Sequence, residues 1–383
     1  MKKILSILCA LATALVLIAA RLFFPCLPAD NSEYVAEKYN GWSGVLRAWV
    51  CSDWMDDGSF IRWLNRCASA FEKMHNGVYL EFSTVGSETM LNFDTSGLRP
   101  PELVFFSPGV FTCTERLISL PACTSLHSSL QAFFNGKALP LAMGAYAWVY
   151  NSAFGQWPQE IGRTSSFTIL PDDQGRCFSA ALICLLSGEP HSADTTESPG
   201  DLSIDLGLPV NSAGESHPVI RQPLAFEQFI NGEIPVLPVT QTELARLIRL
   251  QDSGRGPDWR LYQGSGIVCA DQLLLAGATA QDGDGSDERS KLAQEFIAFL
   301  LTDEAQKELI SIGAFTVTGK DFYPSFSPYA VLESMINSST LAVPSRNRFS
   351  EQYAADSASI VRGFFDGKFS AKEALLNLGF ECM

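Results

Sequence analysis

The sequence is poor in charged residues and poorer still in positive ones. Asp, Glu, Lys and Arg make up 18% of its 383 residues, against about 25% in an average globular domain. Its 27 basic residues are outnumbered by 42 acidic ones, which gives a formal charge of −15. A negative field of this kind repels phosphate backbones and anionic lipid surfaces. We therefore do not expect nucleic acid as a partner.

Patterns typical of catalysis and of metal binding are missing as well. The four histidines are not spaced as ligand pairs on a helix, and Gly264-Ser265-Gly266 lacks the spacing of a nucleophile elbow. Residues 282–287 resemble a calcium-binding loop, but Asp287 stands where such a loop needs glycine, and its twelfth position holds no glutamate. We therefore expect no enzymatic activity, no catalytic residue, no cofactor and no metal ion. Internal repeats of about 20 to 50 residues are also missing.

The ten cysteines do not have the spacing of a zinc site. Cys9 lies in an N-terminal apolar run, so the odd number that remains leaves at least one thiol unpaired in a monomer. Cys113 and Cys123 are close in sequence within a loop-like region and could form a disulfide in an exported protein. Four others are interpreted as small, buried apolar residues. These are Cys67, Cys177, Cys184 and Cys269.

The N-terminus carries an export signal. Lys2 and Lys3 precede a predominantly apolar run from Ile4 to Ala20, which is longer than a typical signal-peptide core and slightly shorter than a membrane-spanning helix. Residues 1–29 are therefore either a cleaved signal peptide or an N-terminal membrane anchor. Lipidation of Cys26 is not favoured, because bulky residues and a proline precede it. The positive-inside rule places the remainder outside the cytoplasm, attached to or near the outer face of the membrane.

Residues 30–43 are polar and are interpreted as a tether, and the folded body starts with a β-α-β-α-β series. Strand-like runs at residues 45–50, 78–85 and 102–106 alternate with helical periodicity from Ser59 and from Ser87. This order predicts a mainly parallel sheet with helices on both faces, and such sheets bind ligands beyond the carboxyl ends of their strands. Four candidate ligand-binding residues follow those ends. They are Asp53, Trp54, Glu88 and Ser107.

The second half of the chain contains further helix signals. Leu292, Phe296 and Leu300 share one helical face, and Thr302 is positioned to cap a second helix that Gly313 would end. Ser370 and Glu373 have the spacing of a capping box, and Gly379 would end that helix. The chain is therefore expected to finish with a helix.

Several segments follow one another in a recognisable order. They are a strand that ends in tryptophan at residues 45–49 with the helix end at residues 71–78, then residues 102–106, 139–151, 226–232, 293–306 and 365–374. In this order they resemble the family 1 extracellular solute-binding proteins of ATP-binding-cassette importers. Segment 293–306, AQEFIAFLLTDEAQ, is the strongest of them. Together they cover the chain from about Val45 to Leu378, whereas Ile234-Pro235 and the residues before Cys26 depart from the family pattern.

The resemblance implies a two-lobed α/β fold of the periplasmic-binding-protein type II. Each lobe is expected to be a mainly parallel sheet flanked by helices, with a hinge between the lobes. Lobe 1 would comprise residues 44–142 and 265–318, and lobe 2 residues 143–264 and 319–383. The implied protein is a monomer that closes on a small solute, expected to be a sugar or an oligosaccharide, and passes it to permease subunits.

The crossing between the lobes and its surroundings supply the remaining candidate ligand-binding residues. Tyr146 and Trp148 lie in the crossing segment and share one side by strand alternation, although packing in the hinge is an equally good interpretation. Gln241 follows the Gly232 turn, in a region that lines the cleft in the resembled family, and Trp259 lies near the return crossing. An aromatic ring could stack on a sugar, and a carboxylate could bind its hydroxyls. For Trp54, the alternative is an exposed side chain that covers the edge of a lobe.

Two other functions stay open at this point. A membrane-anchored sensor or scaffold could keep the same fold without a transport role. An exported hydrolase would need a nucleophile or metal constellation that the sequence does not show.

Overall fold

A computed structural model describes most of the chain beyond residue 41. The described residues are 42–51, 58–121, 126–133, 136–154, 167–168, 180–181, 183–184, 204–205, 222–262, 266–281, 285–345, 356–357, 359–361, 363–364 and 367–382. The export segment, nearly all of the tether, Asp53, Trp54, Cys123 and Cys177 lie outside these ranges.

Strands and helices alternate in the first part of the described chain. The strands are β1 Gly44–Cys51, β2 Val78–Thr84, β3 Leu103–Phe106, β4 Ala138–Ala145, β5 Ala147–Asn151, β6 Phe167–Thr168, β7 Ile204–Asp205, β8 Val236–Val239, β9 Trp259–Leu261, β10 Ile267–Ala278, β11 Thr340–Pro344 and β12 Phe380–Cys382. The α-helices are α1 Ser59–Met74, α2 Ser87–Leu91, α3 Gln222–Ile230, α4 Gln241–Asp252, α5 Ser286–Leu300, α6 Asp303–Lys307, α7 Pro328–Ser338 and α8 Ala371–Asn377. The predicted β-α-β-α-β start is confirmed.

A seven-stranded sheet forms the larger part of the fold. Its order is β12-β11-β10-β3-β1-β2, and β4 also pairs with β10. Strands β2 and β3 run parallel to β1, as the β-α-β order predicts, whereas β4 and β3 run antiparallel to β10. The sheet is therefore mixed, with the predicted parallel unit at one side.

Helices α1 and α5 cover one face of the parallel unit. The amphipathic pattern of α1 buries Phe60, Trp63, Leu64 and Phe71, and Phe71 meets Phe296 of α5 edge to face at 5.2 Å between ring centroids. Burying an aromatic or aliphatic side chain of this size stabilises a fold by about 1.5–3 kcal/mol. Packing of the apolar stripes therefore fixes both helices on the sheet.

A three-stranded sheet, ordered β8-β5-β9, forms a second layer with two covered faces. Side chains alternate along β5, so Ala147 and Val149 join one hydrophobic cluster with α3 and α4, while Trp148 joins another. The second cluster includes the helical residues 180–181 and 183–184, Leu375 of α8 and Leu378 directly after that helix. The two faces thus pack against different parts of the chain.

Two connections link the sheets. Tyr146 separates β4 of the large sheet from β5 of the small one, and its backbone N–H donates to the carbonyl of Cys269 on β10. On the return, Tyr262 follows β9, and its N–H donates to the carbonyl of Trp148. The crossing segments therefore hold each other by backbone hydrogen bonds.

The helix signals read from the sequence are confirmed, except at the C-terminus. Thr302 caps α6, Gly313 has φ 71°, and Ser370 and Glu373 form the predicted capping box of α8. The expectation that the chain finishes with a helix is wrong, because Phe380–Cys382 forms β12 and pairs with β11. Three residues are too few to show strand periodicity in a sequence.

Burial agrees with the interpretation of the cysteines wherever it can be compared. Cys67, Cys184 and Cys269 are each at most 4% exposed, and burial raises the pKa of the Cys67 thiol to about 12.

In the part of the chain that the structure describes, no helix has the length and apolar character needed to cross a bilayer.

Candidate functional site

The carboxyl ends of β1, β2 and β3 meet at one edge of the large sheet, which we call the rim. The parallel register pairs Val50 with both Thr84 and Phe105, so the three strands end at the same level. Ser107 follows β3 and is 7% exposed. Glu88 lies in the first turn of α2, where its side chain is exposed. The structure thus places both residues at the rim.

Tyr146 and Trp148 lie on the same side of the crossing segment, as strand alternation predicts. Both are buried, at 4% and 7% exposure. The Trp148 indole N–H donates to the carbonyl of Ala181 at 3.3 Å, which ties the crossing segment to the helical residues beside it. Their ring edges therefore have fixed positions rather than the freedom of surface side chains.

A pocket opens beside these two side chains, which we call the crossing pocket. The empty space around it, about 360 Å³, includes open solvent, and the pocket itself has room for about one water molecule. Of the residues that the structure describes, twelve from both crossing segments, the helical residues beside them and α7 line it. They are Tyr146, Ala147, Trp148, Ala181, Cys184, Leu261, Tyr262, Ile267, Val268, Cys269, Leu332 and Met335.

The crossing pocket and the rim are separate places. Phe106, at the end of β3, pairs with Leu275 of β10, whereas the pocket is lined by Ile267 to Cys269 of the same strand. The seven residue steps of extended strand from Val268 to Leu275 span roughly 20 Å. The structure therefore brings Tyr146 and Trp148 together but does not bring them to Ser107.

Gln241 lies where α4 meets the large sheet and is 3% exposed. Its side-chain N–H donates to the carbonyl of Gly313 at 2.5 Å, and its own backbone carbonyl accepts from the Tyr329 hydroxyl at 3.2 Å. Its amide oxygen rests against Gly144 of β4, where a Cβ atom would overlap it. The Thr240–Glu243 capping box fixes the start of α4 at this junction. Gln241 thus joins two layers of the fold.

Trp259 lies on the other face of the small sheet from Trp148. It is 4% exposed and pairs with Asn151 across β5 and β9. It belongs to the hydrophobic cluster of α3 and α4, and its indole nitrogen is buried without a hydrogen-bond partner. Its position does not join it to the crossing pocket, whose lining includes Leu261 and Tyr262 instead.

Sequence reasoning missed several residues that the structure brings to these places. Tyr262 and Met335 line the crossing pocket, and Gly144 and Tyr329 contact Gln241. Tyr262 follows a short strand after Trp259, so alternation could have suggested that it faces the other way. Met335 and Tyr329 come from a helix far along the chain, and no local pattern connects them to residue 146 or residue 241.

Two tyrosines and a glutamate form a buried group next to the Gln241 junction. The rings of Tyr323 and Tyr329 stack with centroids 4.9 Å apart, and burial raises the pKa of Tyr329 to about 12. Glu333 of α7 is 2% exposed and accepts hydrogen bonds from the N–H groups of Phe322 and Tyr323. Burial raises the pKa of the Glu333 carboxyl although these bonds oppose the shift. The group holds the segment before α7 against that helix.

One cluster of described residues has the ligand types of a metal site. Asp94, Cys113 and Glu115 have ligand atoms within 4.8 Å of one another. Both carboxylates are exposed, and Asp94 forms an ion pair with Arg116 at 2.8 Å. Burial raises the pKa of the Cys113 thiol, which disfavours the thiolate that binds metals. The arrangement therefore fits an exposed ion-pair cluster better than a metal centre.

Comparison with solved structures assigns the architecture. The chain superposes on the cyclic α-maltosyl-1,6-maltose binding protein of Arthrobacter globiformis with a TM-score of 0.53 and 13% identity, covering 88% of this chain and 97% of the other. The GacH receptor of Streptomyces glaucescens, solved unliganded and with acarbose, gives 0.54 and 13%, over 88% and 97% of the chains. A solute-binding protein of an ABC transporter from Thermotoga lettingae, bound to α-D-tagatose, gives 0.54 and 11%, over 88% and 98%.

The chain has the two-lobed type II periplasmic-binding-protein fold. The large sheet with its parallel unit, the smaller sheet and the crossing segments between them are the parts of that fold described above. No protein-family model and no curated protein sequence matches the chain. At these identities the likeness establishes the fold, and function has to be argued from the site.

Proposed function

We propose that this protein is an extracytoplasmic solute-binding receptor of an ABC importer that closes on a sugar or oligosaccharide between its lobes. The observation that carries the proposal is the fold, since the structures that it resembles over 88% of its length are binding proteins for maltosyl sugars, acarbose and tagatose. We propose binding without chemistry, as expected from the sequence. Open α/β sheets bind ligands outside the carboxyl ends of their strands, which is where the rim lies.

Asp53, Trp54, Glu88 and Ser107 are the solute contacts that we propose in lobe 1. All four follow the carboxyl ends of strands in sequence, and Glu88 and Ser107 lie at the rim. A carboxylate accepts hydrogen bonds from sugar hydroxyls, and an indole ring packs on the apolar face of a sugar. We propose lobe boundaries at residues 142/143, 264/265 and 318/319. The first is close to Tyr146, and the second lies among the residues that precede β10.

The proposed location is outside the cytoplasmic membrane, with permease subunits as partners and the chain as a monomer. The basic residues and apolar run at the N-terminus support export. The bulky residues before Cys26 favour a cleaved signal or an uncleaved anchor over a lipid anchor. An uncleaved anchor would also suit a sensor or scaffold with this fold. N-terminal sequencing of the exported chain shows whether the anchor is retained, and ligand-binding measurements on the same chain help to separate a receptor from a scaffold.

Thermal unfolding in the presence of a solute panel tests the proposal. A ligand at 100 times its dissociation constant adds about 2.7 kcal/mol to the free energy of unfolding. We expect maltose, maltotriose, acarbose or tagatose to raise the unfolding temperature, and Glu88→Gln or Ser107→Ala to reduce the shift. Met74→Trp, at an exposed position at the end of α1, is the control substitution. A panel of sugars, peptides and polyamines that leaves the unfolding temperature unchanged would contradict the proposal.

A further inference from the structure

Two of the proposed lobe boundaries meet inside the fold. Met143 directly follows the boundary at 142/143, and its backbone exchanges two hydrogen bonds, at 3.1 and 2.9 Å, with Phe315, which lies just before the boundary at 318/319. Gln241 of α4 reaches the same place, because its side-chain N–H donates to the carbonyl of Gly313. Residues 313–315 are therefore a meeting point of the two proposed lobes.

Side chains from lobe 2 donate hydrogen bonds to two consecutive carbonyls of lobe 1. The carbonyl of Gly313 accepts from Gln241 at 2.5 Å, and the carbonyl of Ala314 accepts from the Tyr323 hydroxyl at 2.9 Å. The Tyr329 hydroxyl in turn donates to the backbone carbonyl of Gln241 at 3.2 Å. These bonds tie the start of α4 and the segment before α7 to the same short stretch of lobe 1.

Aromatic packing joins the lobes at the same place. The ring centroid of Phe315 lies 5.6 Å from that of Tyr323 and 6.2 Å from that of Tyr329. Phe315 is 1% exposed and both tyrosines are 9% exposed. We call the residues that are bonded and packed here the junction cluster. They are Gln241, Gly313, Ala314, Phe315, Tyr323 and Tyr329.

Separating the lobes at the junction cluster is strongly unfavourable. Exposing the ring of Phe315 disfavours the separated form by about tenfold or more, and the two tyrosine rings that face it raise the factor to at least about a hundredfold. Hydrogen bonds left without partners add to this factor. The open form of a receptor has to be well populated before the solute arrives, because a rare binding-competent form weakens the apparent affinity in proportion. Opening therefore leaves the junction cluster intact.

We propose that the junction cluster is the fixed pivot of lobe closure, and that Gln241 acts in this pivot rather than as a contact of the solute. The inference rests on the proposed receptor function and assigns the part of the molecule about which the lobes turn. Hinge motions change the backbone at a few residues at the ends of elements. Tyr146 is the single residue between β4 and β5, so the backbone change is expected there.

Fluorine NMR of the full chain labelled with 3-fluorotyrosine tests the pivot directly. Substituting each tyrosine by phenylalanine, one at a time, assigns the resonances. The ligand is maltotriose, or whichever of maltose, acarbose and tagatose raises the unfolding temperature most. At saturation we expect the Tyr146 resonance to shift, while the resonances of Tyr323 and Tyr329 stay in place because their surroundings do not change. Tyr79, which is 58% exposed on β2, is the control for a general effect of the sugar on the solvent.

Phe315→Leu and Phe296→Leu form a matched pair of variants. Both rings are at most 1% exposed, and Phe296 packs within lobe 1 against Phe71. Loosening the pivot widens the range of open forms that solute binding has to order, so we expect Phe315→Leu to weaken sugar binding at least about fivefold. Phe296→Leu lowers stability as well but should leave the affinity of the folded protein within about twofold. Circular dichroism checks folding, and Phe315→Met replaces Phe315→Leu if that variant does not fold.

Gln241→Met separates a role in the pivot from a solute contact. The substitution removes the bond to Gly313 but leaves the aromatic packing of the cluster. A contact that is the same in the open and closed forms stabilises both and does not bias the equilibrium between them. We therefore expect a lower denaturation midpoint and a sugar affinity within about twofold of the parent. Loss of a direct bond to the solute would weaken binding about tenfold or more.

Hydrogen exchange tests the pivot without any sugar. The Phe315 N–H donates to the carbonyl of Met143, and the Tyr323 N–H donates to the Glu333 carboxylate. We expect both amides to exchange within about tenfold of the slowest amides of the chain, because they should open only when the whole protein unfolds. Faster exchange would overturn the proposal whether or not a sugar binds.

The other results that would overturn the proposal come from the sugar experiments. They are a shift of Tyr323 or Tyr329 as large as that of Tyr146, sugar binding that leaves Tyr146 unmoved, equal affinities of the two phenylalanine variants, and a large loss of affinity in Gln241→Met. Slow exchange at the junction cluster without any sugar binding would contradict the receptor function, while keeping the cluster as a fixed connection between the lobes.

Discussion

At the scale of single residues, the contacts of Gln241 could not be predicted from the sequence. The family resemblance placed Gln241 in a cleft-lining region, but Gly313, Tyr329 and Gly144 come to it from three distant segments. Strand alternation, which acts over two residues, correctly put Tyr146 and Trp148 on one side. Local periodicity thus predicts which side a residue faces, and the partner on that side depends on the tertiary fold.

Replacing Gly144 by alanine should destabilise the protein. A Cβ atom at residue 144 would overlap the Gln241 amide oxygen and displace a buried side chain that bonds to Gly313, at an expected cost of about 1–2 kcal/mol in the free energy of unfolding. Chemical denaturation measures this cost. Gly86→Ala is the control, because a Cβ atom there meets nothing within 4 Å. In a Gln241→Ala background, Gly144→Ala should cost much less, and an equal cost in both backgrounds would contradict the contact.

Glu333 should make the free energy of unfolding depend on pH. Burial raises the pKa of its carboxyl above the ordinary value of 4.5, so the folded state holds the proton more tightly than the unfolded state does. Stability from this group is therefore present at low pH and falls as pH rises from about 4.5 through the folded pKa. Glu333→Gln cannot ionise, so the stability of the variant relative to the parent should rise with pH over that window.

Glu373 provides a control of opposite sign for this measurement. Hydrogen bonds from the Ser370 N–H and hydroxyl lower the pKa of the Glu373 carboxyl. Its contribution is present above pH 4.5 and is lost as pH falls through the folded pKa. Glu373→Gln should therefore become less stable relative to the parent as pH rises. Denaturation between about pH 3 and pH 8 covers both windows and compares the two variants, and identical slopes would contradict the assignment to Glu333.

At the scale of elements, helices and the N-terminal strands were predictable because each carries its own signal. The face of α1, the Thr302 cap and the Ser370 capping box are all local patterns in the sequence. Strand β10 is different, because it pairs with β11 at its start and with β4 and β3 further along. Those pairings depend on segments far apart in the chain. The same holds for β12, whose three residues form a strand only beside β11.

Removing the cap of α8 should loosen the C-terminal element. The Ser370 hydroxyl accepts from the Glu373 N–H at 3.3 Å, and the Glu373 carboxylate accepts from the Ser370 N–H at 2.8 Å. We expect Ser370→Ala to lower the free energy of unfolding by about 1 kcal/mol, whereas Ser370→Asp, another good cap, should be nearly neutral. Denaturation and hydrogen exchange of the α8 and β12 amides report the effect. Equal losses in both variants would show that the cap is not its cause.

At the scale of the whole molecule, the fold was predictable and the ligand contacts were less so. The motif series implied the two-lobed fold, which the comparisons confirm. The contacts depend on how the sheets meet. The crossing places Tyr146 and Trp148 roughly 20 Å along β10 from the rim, a separation that their sequence positions do not reveal.

Closure of the lobes should be visible as a change in size. A compact chain of this length has a radius of gyration of about 21 Å, and an open two-lobed form exceeds it because solvent fills the cleft. Hinge closure on a solute brings the lobes together. Small-angle X-ray scattering should therefore give a smaller radius with the sugar that most raises the unfolding temperature. A sugar without thermal effect serves as the control, and a stabilising sugar that leaves the radius unchanged would mean binding without hinge closure.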